Sequence, residues 1–335
     1  MRAWLLEESP GTYRHGEVPT PEPGPGEVRI EVRASALNHI DLWLTRGQPR
    51  PPSFPHVPGS DVAGVIDAVG EGVTRWSPGD EVVMEAAVTD EEAIHRRGID
   101  SVEEPGLHLL GEHRWGGHAD YVVVPHWHPV PKPPNRSWVD CAAYPVAYVT
   151  AWRMLRLAGV GAGSRVLVIG IGGGVATAAL VLAQRLGATV EVTSRDPAKL
   201  ERAVELGASA THNTAGPYPR GFDAVVDTVG GPVFEPALRA LRGGGAFVTC
   251  GATAGVQVQL SIPYLFFRQL RIQGVTLGSH QEFCQVTDLI AQGLPVVVDR
   301  VLSYDEYPEA VELLASGAQL GKIVLDHGAG VGDRQ

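Results

Sequence analysis

Arg165-Val-Leu-Val-Ile-Gly170-Ile-Gly172-Gly173-Gly174-Val175-Ala176 is the stretch that decides the fold. Residues 165–169 read as a short buried strand. The glycines leave that strand and open a helix running to Leu186, with Gly187 at its end. Small residues at such a turn let the backbone approach a pyrophosphate, whose charge meets the free N–H groups of the helix N-terminus. Gly170, Gly172, Gly173, Gly174 and Val175 are therefore candidate cofactor-binding residues.

The next strand, read over Thr189 to Thr193, ends roughly 20 residues on, where an NAD site usually places Asp or Glu for the ribose hydroxyls. Here it ends Val192-Thr193-Ser194-Arg195. Ser194 can donate to a 2′-phosphate and Arg195 can pair with it, which favours NADP (bound as NADPH). Glu191 stands two or three residues early and, by alternation, need not face a ligand. Beyond this, Asp196-Pro197 caps a helix to Leu206-Gly207, and further strands are read at Phe222–Val226, Ala246–Cys250 and Ile272–Leu277. Alternating strands and helices imply a doubly wound parallel sheet. Asp227, Val229 and Gly251 stand at strand ends, where such sheets hold their ligand.

The first third has a different texture. Dense Pro and Gly separate short alternating runs such as Val28, Ile30 and Val32, so a β-rich domain precedes the nucleotide unit. Glu85 to His113 is polar and without periodicity, and reads as a surface excursion. The expected domains are residues 1–130 with 281–335, and 131–280; a chain of 335 residues suits two domains of about 150 each. With 27 basic against 38 acidic residues, the net charge of −11 excludes bulk electrostatic binding of nucleic acid or anionic membrane. No apolar run is long enough to span a bilayer, and the N-terminal stretch turns acidic at Glu7, so a cytoplasmic protein is expected. Cys141, Cys250 and Cys284 are widely spaced and odd in number, which argues against a disulfide framework or zinc ribbon. The histidines match no standard ligand set, and surface positions account for them.

Several motifs carry a family resemblance: Pro23-Gly24-Pro25-Gly26-Glu27-Val28, Asn38-His39-Ile40-Asp41, Pro58-Gly59-Ser60-Asp61-Val62-Ala63-Gly64, Gly79-Asp80-Glu81-Val82 and Gly321-Lys322-Ile323-Val324-Leu325. Together with the nucleotide turn they resemble the medium-chain dehydrogenase/reductase superfamily over nearly the whole chain. The resemblance implies an α/β architecture, a GroES-like β-rich catalytic domain plus a Rossmann domain. It implies His39 and Lys322 on the cofactor side, Thr150 against the nicotinamide, and a homodimer or homotetramer paired near Arg271 to Leu277.

Zinc-dependent members place Cys where this chain has Asn38, His where it has Ser60, and a further ligand near Val146. Their four-cysteine lobe corresponds to Glu85 to His113, which contains no cysteine. No zinc and no metal ligand are therefore expected. The chain is similar to the zinc-independent quinone oxidoreductase branch, which shares Asn38, Asp41 and a nucleotide loop one residue longer. It departs from that branch at Trp43, where a tyrosine is common, and Gly111 to Gly117 resembles the zinc-type relatives. The expected catalytic residues are Asn38, aided by Ser60 and oriented by Asp41, donating to the oxygen of a quinone, enone or related small carbonyl substrate as it accepts hydride from NADPH. Two alternatives stay open: a zinc-type alcohol dehydrogenase acting on alcohol/carbonyl pairs, and a non-catalytic NADPH-binding protein.

Overall fold

A computed structural model describes residues 1–91, 94–95, 100–103 and 105–328. It divides into two compact units. One comprises Met1–Val146, Ser279–Gln292 and the chain from Val298; the other comprises Ala147–Gly278 and Gly293–Val297.

The second unit is built on six strands: β1 (Arg165–Ile169), β2 (Thr189–Ser194), β3 (Ala210–Asn213), β4 (Phe222–Asp227), β5 (Leu241–Thr249) and β6 (Arg271–Gly274). They lie in the order β3-β2-β1-β4-β5-β6, every pair parallel. The order reverses between β1 and β4, and doubly wound sheets bind their ligand at the carboxyl ends of the strands flanking such a reversal. The glycine turn leaves β1 there. Leu167, Ile169, Phe222, Val225, Phe234 and Phe247 form the buried core on one side of the sheet. β6 stops at Gly274, three residues before the end expected for it, and Leu277 takes a positive φ of 50°.

In the first unit a seven-stranded sheet runs in the order Val298–Ser303, Lys322–Asp326, Glu27–Ala36, Asp61–Val69, Glu81–Met84, Pro129–Pro131, with Tyr121–Pro125 paired to Glu27–Ala36. Alternation places Val28, Ile30 and Val32 in its core with Val62, Ile66 and Met84. The pairing of Lys322–Asp326 with Glu27–Ala36 brings the end of the chain back onto its first third.

The first domain boundary falls after Val146 rather than after residue 130. The reason is the helix Trp138–Ala143, which packs on Glu27–Ala36, Asp61–Val69 and Lys322–Asp326 and so belongs to the first sheet. Glu85–His113 is no simple surface excursion either. Ala87–Val88 pairs with His108–Leu109, and Glu85 through Thr89 are buried. Residues 92–93, 96–99 and 104 of that segment lie outside the described residues, as do residues 329–335. No helix of the described residues is long and apolar enough to cross a membrane.

Candidate active site

In the second unit, Gly170 takes a φ of 78° and Gly172 a φ of 151°, conformations that L side chains rarely adopt. A Cβ on Gly170 would also lie 2.4 Å from Cγ2 of Val229, so this glycine serves packing as well as the turn. Gly173 differs: a Cβ there would meet nothing within 4 Å. It precedes the helix Gly174–Arg185, whose first turn has no side-chain cap. An uncapped helix N-terminus fronted by open space is a cradle for an anion.

At the end of β2, Glu191 is only 6% exposed and fully engaged. Arg165 Nε donates to its Oε1 at 2.7 Å, and His212 Nε2 lies 2.6 Å from its Oε2. Thr193 Oγ1 accepts from the Gly170 amide at 3.0 Å, tying the glycine turn to β2. The Ser194 hydroxyl accepts from Asp196 N–H, while Arg195 is exposed and has no partner among the described residues.

Asp227 is not open to a ligand. Its carboxylate accepts from the amides of Val229 and Gly230 and from Thr249 Oγ1, and burial raises its pKa above the usual carboxylate range. It holds the loop after β4. Gly251 is required by close approach, since a Cβ there would sit 2.1 Å from the Thr228 carbonyl oxygen. Thr150 is buried in this same unit.

The first unit gathers a second polar cluster. Lys322, 3% exposed, donates to the Leu37 carbonyl at 2.6 Å, to Asn38 Oδ1 at 2.7 Å and to Asp61 Oδ2 at 2.7 Å. Its three ammonium protons are thereby used within the unit. Asp61, 0% exposed, also accepts from Asn38 Nδ2 and from the Val146 amide, each at 2.8 Å. Because an ammonium can only donate, it fixes the Asn38 amide with its oxygen toward Lys322. One amide N–H of Asn38 is then left without a partner among the described residues.

Asp41 accepts from the Asn38 backbone N–H at 2.7 Å and so orients Asn38 at the start of the helix His39–Leu44. Its other carboxylate oxygen has no hydrogen bond and lies 3.6 Å from Nε2 of His118. Ser60 is buried directly before Asp61. His39 is pushed below its ordinary pKa by burial and by the Lys322 charge. Asp61 was missed as a functional residue, although an acid following Ser60 in a quoted motif was the available signal. The histidines also differ from expectation: His56, His118 and His128 are all 0% exposed.

Known proteins share both halves. The family described as Alcohol dehydrogenase GroES-like domain matches residues 24–134, and the family described as Zinc-binding dehydrogenase matches residues 174–292. A zinc-type alcohol dehydrogenase-like protein of Schizosaccharomyces pombe is 35% identical over 90% of this chain and 91% of its own length. The chain is a medium-chain dehydrogenase/reductase. This dehydrogenase/reductase superposes on the crystal structure of an NAD-dependent alcohol dehydrogenase with a TM-score of 0.92 and 38% identity, covering 98% of this chain and 100% of that one. A crotonyl-CoA carboxylase/reductase in complex with NADP gives a TM-score of 0.90 at 26% identity, covering 97% and 94%. The protein is an oxidoreductase enzyme with a GroES-like domain and a Rossmann domain.

The residues of this dehydrogenase/reductase do not suit the zinc that some relatives' names announce. Zinc takes thiolate, imidazole or carboxylate. The matching positions carry the Asn38 carboxamide, the Ser60 hydroxyl and the apolar Val146, and both oxygens of neighbouring Asp61 already accept hydrogen bonds. Among the described residues no group of three His, Cys, Asp or Glu side chains is arranged to hold a metal ion.

Proposed function

We propose that this enzyme reduces conjugated carbonyl compounds (enones, quinones or related enoyl compounds) with NADPH and without zinc. The observation that carries the coenzyme choice is the end of β2. Its only acid, Glu191, is held by Arg165 and His212, and the exposed Arg195 has no partner among the described residues. An exposed guanidinium suits a 2′-phosphate, whereas ribose hydroxyls ask for a carboxylate. The similarity to a crotonyl-CoA carboxylase/reductase bound to NADP supports both the coenzyme and a conjugated substrate.

When bound, NADPH supplies the hydride. The chain's own part is to hold the substrate oxygen as negative charge develops on it. Asn38 has the free amide N–H for this, its carbonyl side polarised by Lys322 and its backbone fixed by Asp41. Ser60 directly precedes Asp61, whose carboxylate accepts from Asn38 Nδ2, and serves as a second donor. Asp61 positions both Asn38 and Lys322. No buried acid is assigned to the product proton, which comes from solvent.

Arg195→Ala is expected to weaken NADPH binding about 10- to 100-fold, the worth of one charge-assisted contact, and to leave NADH binding unchanged. Coenzyme fluorescence titration reads both. An equal loss for the two coenzymes contradicts the assignment. The competing reading is an NAD-dependent alcohol dehydrogenase, favoured by the 38% identity to one. NADH-selective turnover of simple alcohols and ketones supports it.

The assembly proposed is a homodimer or homotetramer paired through the β6 edge. All four β6 residues are exposed, and Phe266 and Phe267 beside it are 56% and 80% exposed. Apolar side chains clustered at a free strand edge seek a partner. Sedimentation velocity is expected to give twice or four times the chain mass; a monomer rejects the pairing.

A further inference from the structure

A third cluster, in the first unit, has no part in the hydride reaction. Cys284 sits on the helix His280–Ala291, one turn after His280, so the two side chains share a face. The Cys284 thiol lies 3.7 Å from Nε2 of His280, and Nδ1 of the same ring lies 2.7 Å from Oε2 of Glu85. Nucleophile, imidazole and carboxylate thus stand in line, each ring nitrogen facing one partner, as activated thiols require.

The carboxylate is built in rather than incidental. Glu85 is 3% exposed, and its other oxygen has no hydrogen bond. His128 Nδ1 lies 3.6 Å from the Oε2 that meets His280. Trp127 packs edge-on against the His280 ring at 5.2 Å. Burial works against charging His280, but hydrogen bonds to Cys284 and Glu85 outweigh it and raise the ring to about 10. At neutral pH the ring is a cation, which stabilises a thiolate beside it. The ring also lines a cavity of about 290 Å3 with Trp127, Ser101, Ser279, Arg75 and Asp100. By contrast, burial raises Cys141 and Cys250 to about 12 and leaves them inert.

We propose that Cys284, His280 and Glu85 form a nucleophilic thiol site, separate from the hydride-transfer residues, that captures conjugated carbonyl compounds as covalent adducts. Sγ bonds to the β-carbon as the C=C π pair moves onto the carbonyl to give an enolate. The thiol proton leaves to solvent as the thiolate forms beside the His280 cation, and the enolate takes a proton at its α-carbon from solvent. Nothing is oxidised or reduced, so no coenzyme is needed.

The test exposes the full-length enzyme, without NADPH, to methyl vinyl ketone and follows each cysteine by peptide mass spectrometry. One adduct on Cys284 is expected, with Cys141 and Cys250 unmodified. At pH 7, His280→Gln slows the reaction at least tenfold. The groups facing His280 are Glu85, Cys284 and, beyond Glu85, His128; Arg75, Glu91, His95 and Asp100 surround the cavity. The wild-type advantage over His280→Gln shrinks as pH rises through about 10, where the ring loses its charge. In Glu85→Gln the advantage is lost at lower pH, because the carboxylate that holds the proton on His280 is gone. Should His280→Gln fail to fold, the pH dependence of Glu85→Gln against wild type still decides. Equal modification of all three cysteines, a rate unaffected by either variant, or stoichiometric zinc shielding Cys284 overturns the proposal. Because no coenzyme is present, these outcomes are independent of the reductase reading.

Discussion

Replacing Lys322 with Met is expected to destabilise the protein by about 3–5 kcal/mol, the usual cost of leaving one partner of a buried ion pair unpaired. Lys322 and Asp61 are 3% and 0% exposed, and the ammonium also holds the Leu37 carbonyl and the Asn38 amide. Removing it strands the Asp61 charge and frees the Asn38 side chain to rotate. The double variant Lys322→Met with Asp61→Asn is expected to recover much of the loss, since the charge goes with its partner. Calorimetric or denaturant unfolding of the single and double variants checks this. A single variant as stable as wild type means that Asp61 does not carry the buried charge described here.

The second large effect concerns turnover. Asn38→Ala is expected to lower kcat/KM for the best conjugated substrate about 10²- to 10³-fold, the range for removal of one oxyanion donor. The loss should appear mainly in kcat, because the hydrogen bond strengthens as the oxygen gains charge. Asn38→Asp should be at least as damaging: a carboxylate accepts and cannot donate, and it sets a second negative charge beside Asp61. Unchanged kcat in Asn38→Ala rules out the donor role while leaving the coenzyme assignment standing.

The nucleotide unit was legible because its signals are local. β1, the glycine turn and the helix through Arg185 are contiguous, and the capped helix Pro197–Glu205 follows from Asp196-Pro197. The partners of Glu191 are invisible in the sequence, because Arg165 and His212 flank it only after three strands align. The first unit's cluster depends on partners far apart in sequence. Lys322 meets Asp61 across 261 residues, so a charge that looks made for phosphate is instead consumed internally. Asp227 differs, since its partners are the loop amides two and three residues after it. The helix His280–Ala291 was missed although Ser279-His-Gln-Glu282 forms a capping box, with Ser279 N–H donating to Glu282 at 2.9 Å. That omission also hid the Cys284–His280 pair. The buried histidines were taken for surface residues because burial of a polar ring is set by sheet packing, not by local pattern.

The proposed reaction is hydride transfer from NADPH to a conjugated carbonyl without zinc. It is tested most directly by following coenzyme oxidation at 340 nm with chelator-dialysed wild-type enzyme, an enone or quinone panel, and NADPH or NADH in parallel. The account predicts sustained turnover with NADPH, at least about tenfold above NADH in kcat/KM, from the one charge-assisted contact at Arg195. Turnover that requires added zinc, or that prefers NADH, contradicts it.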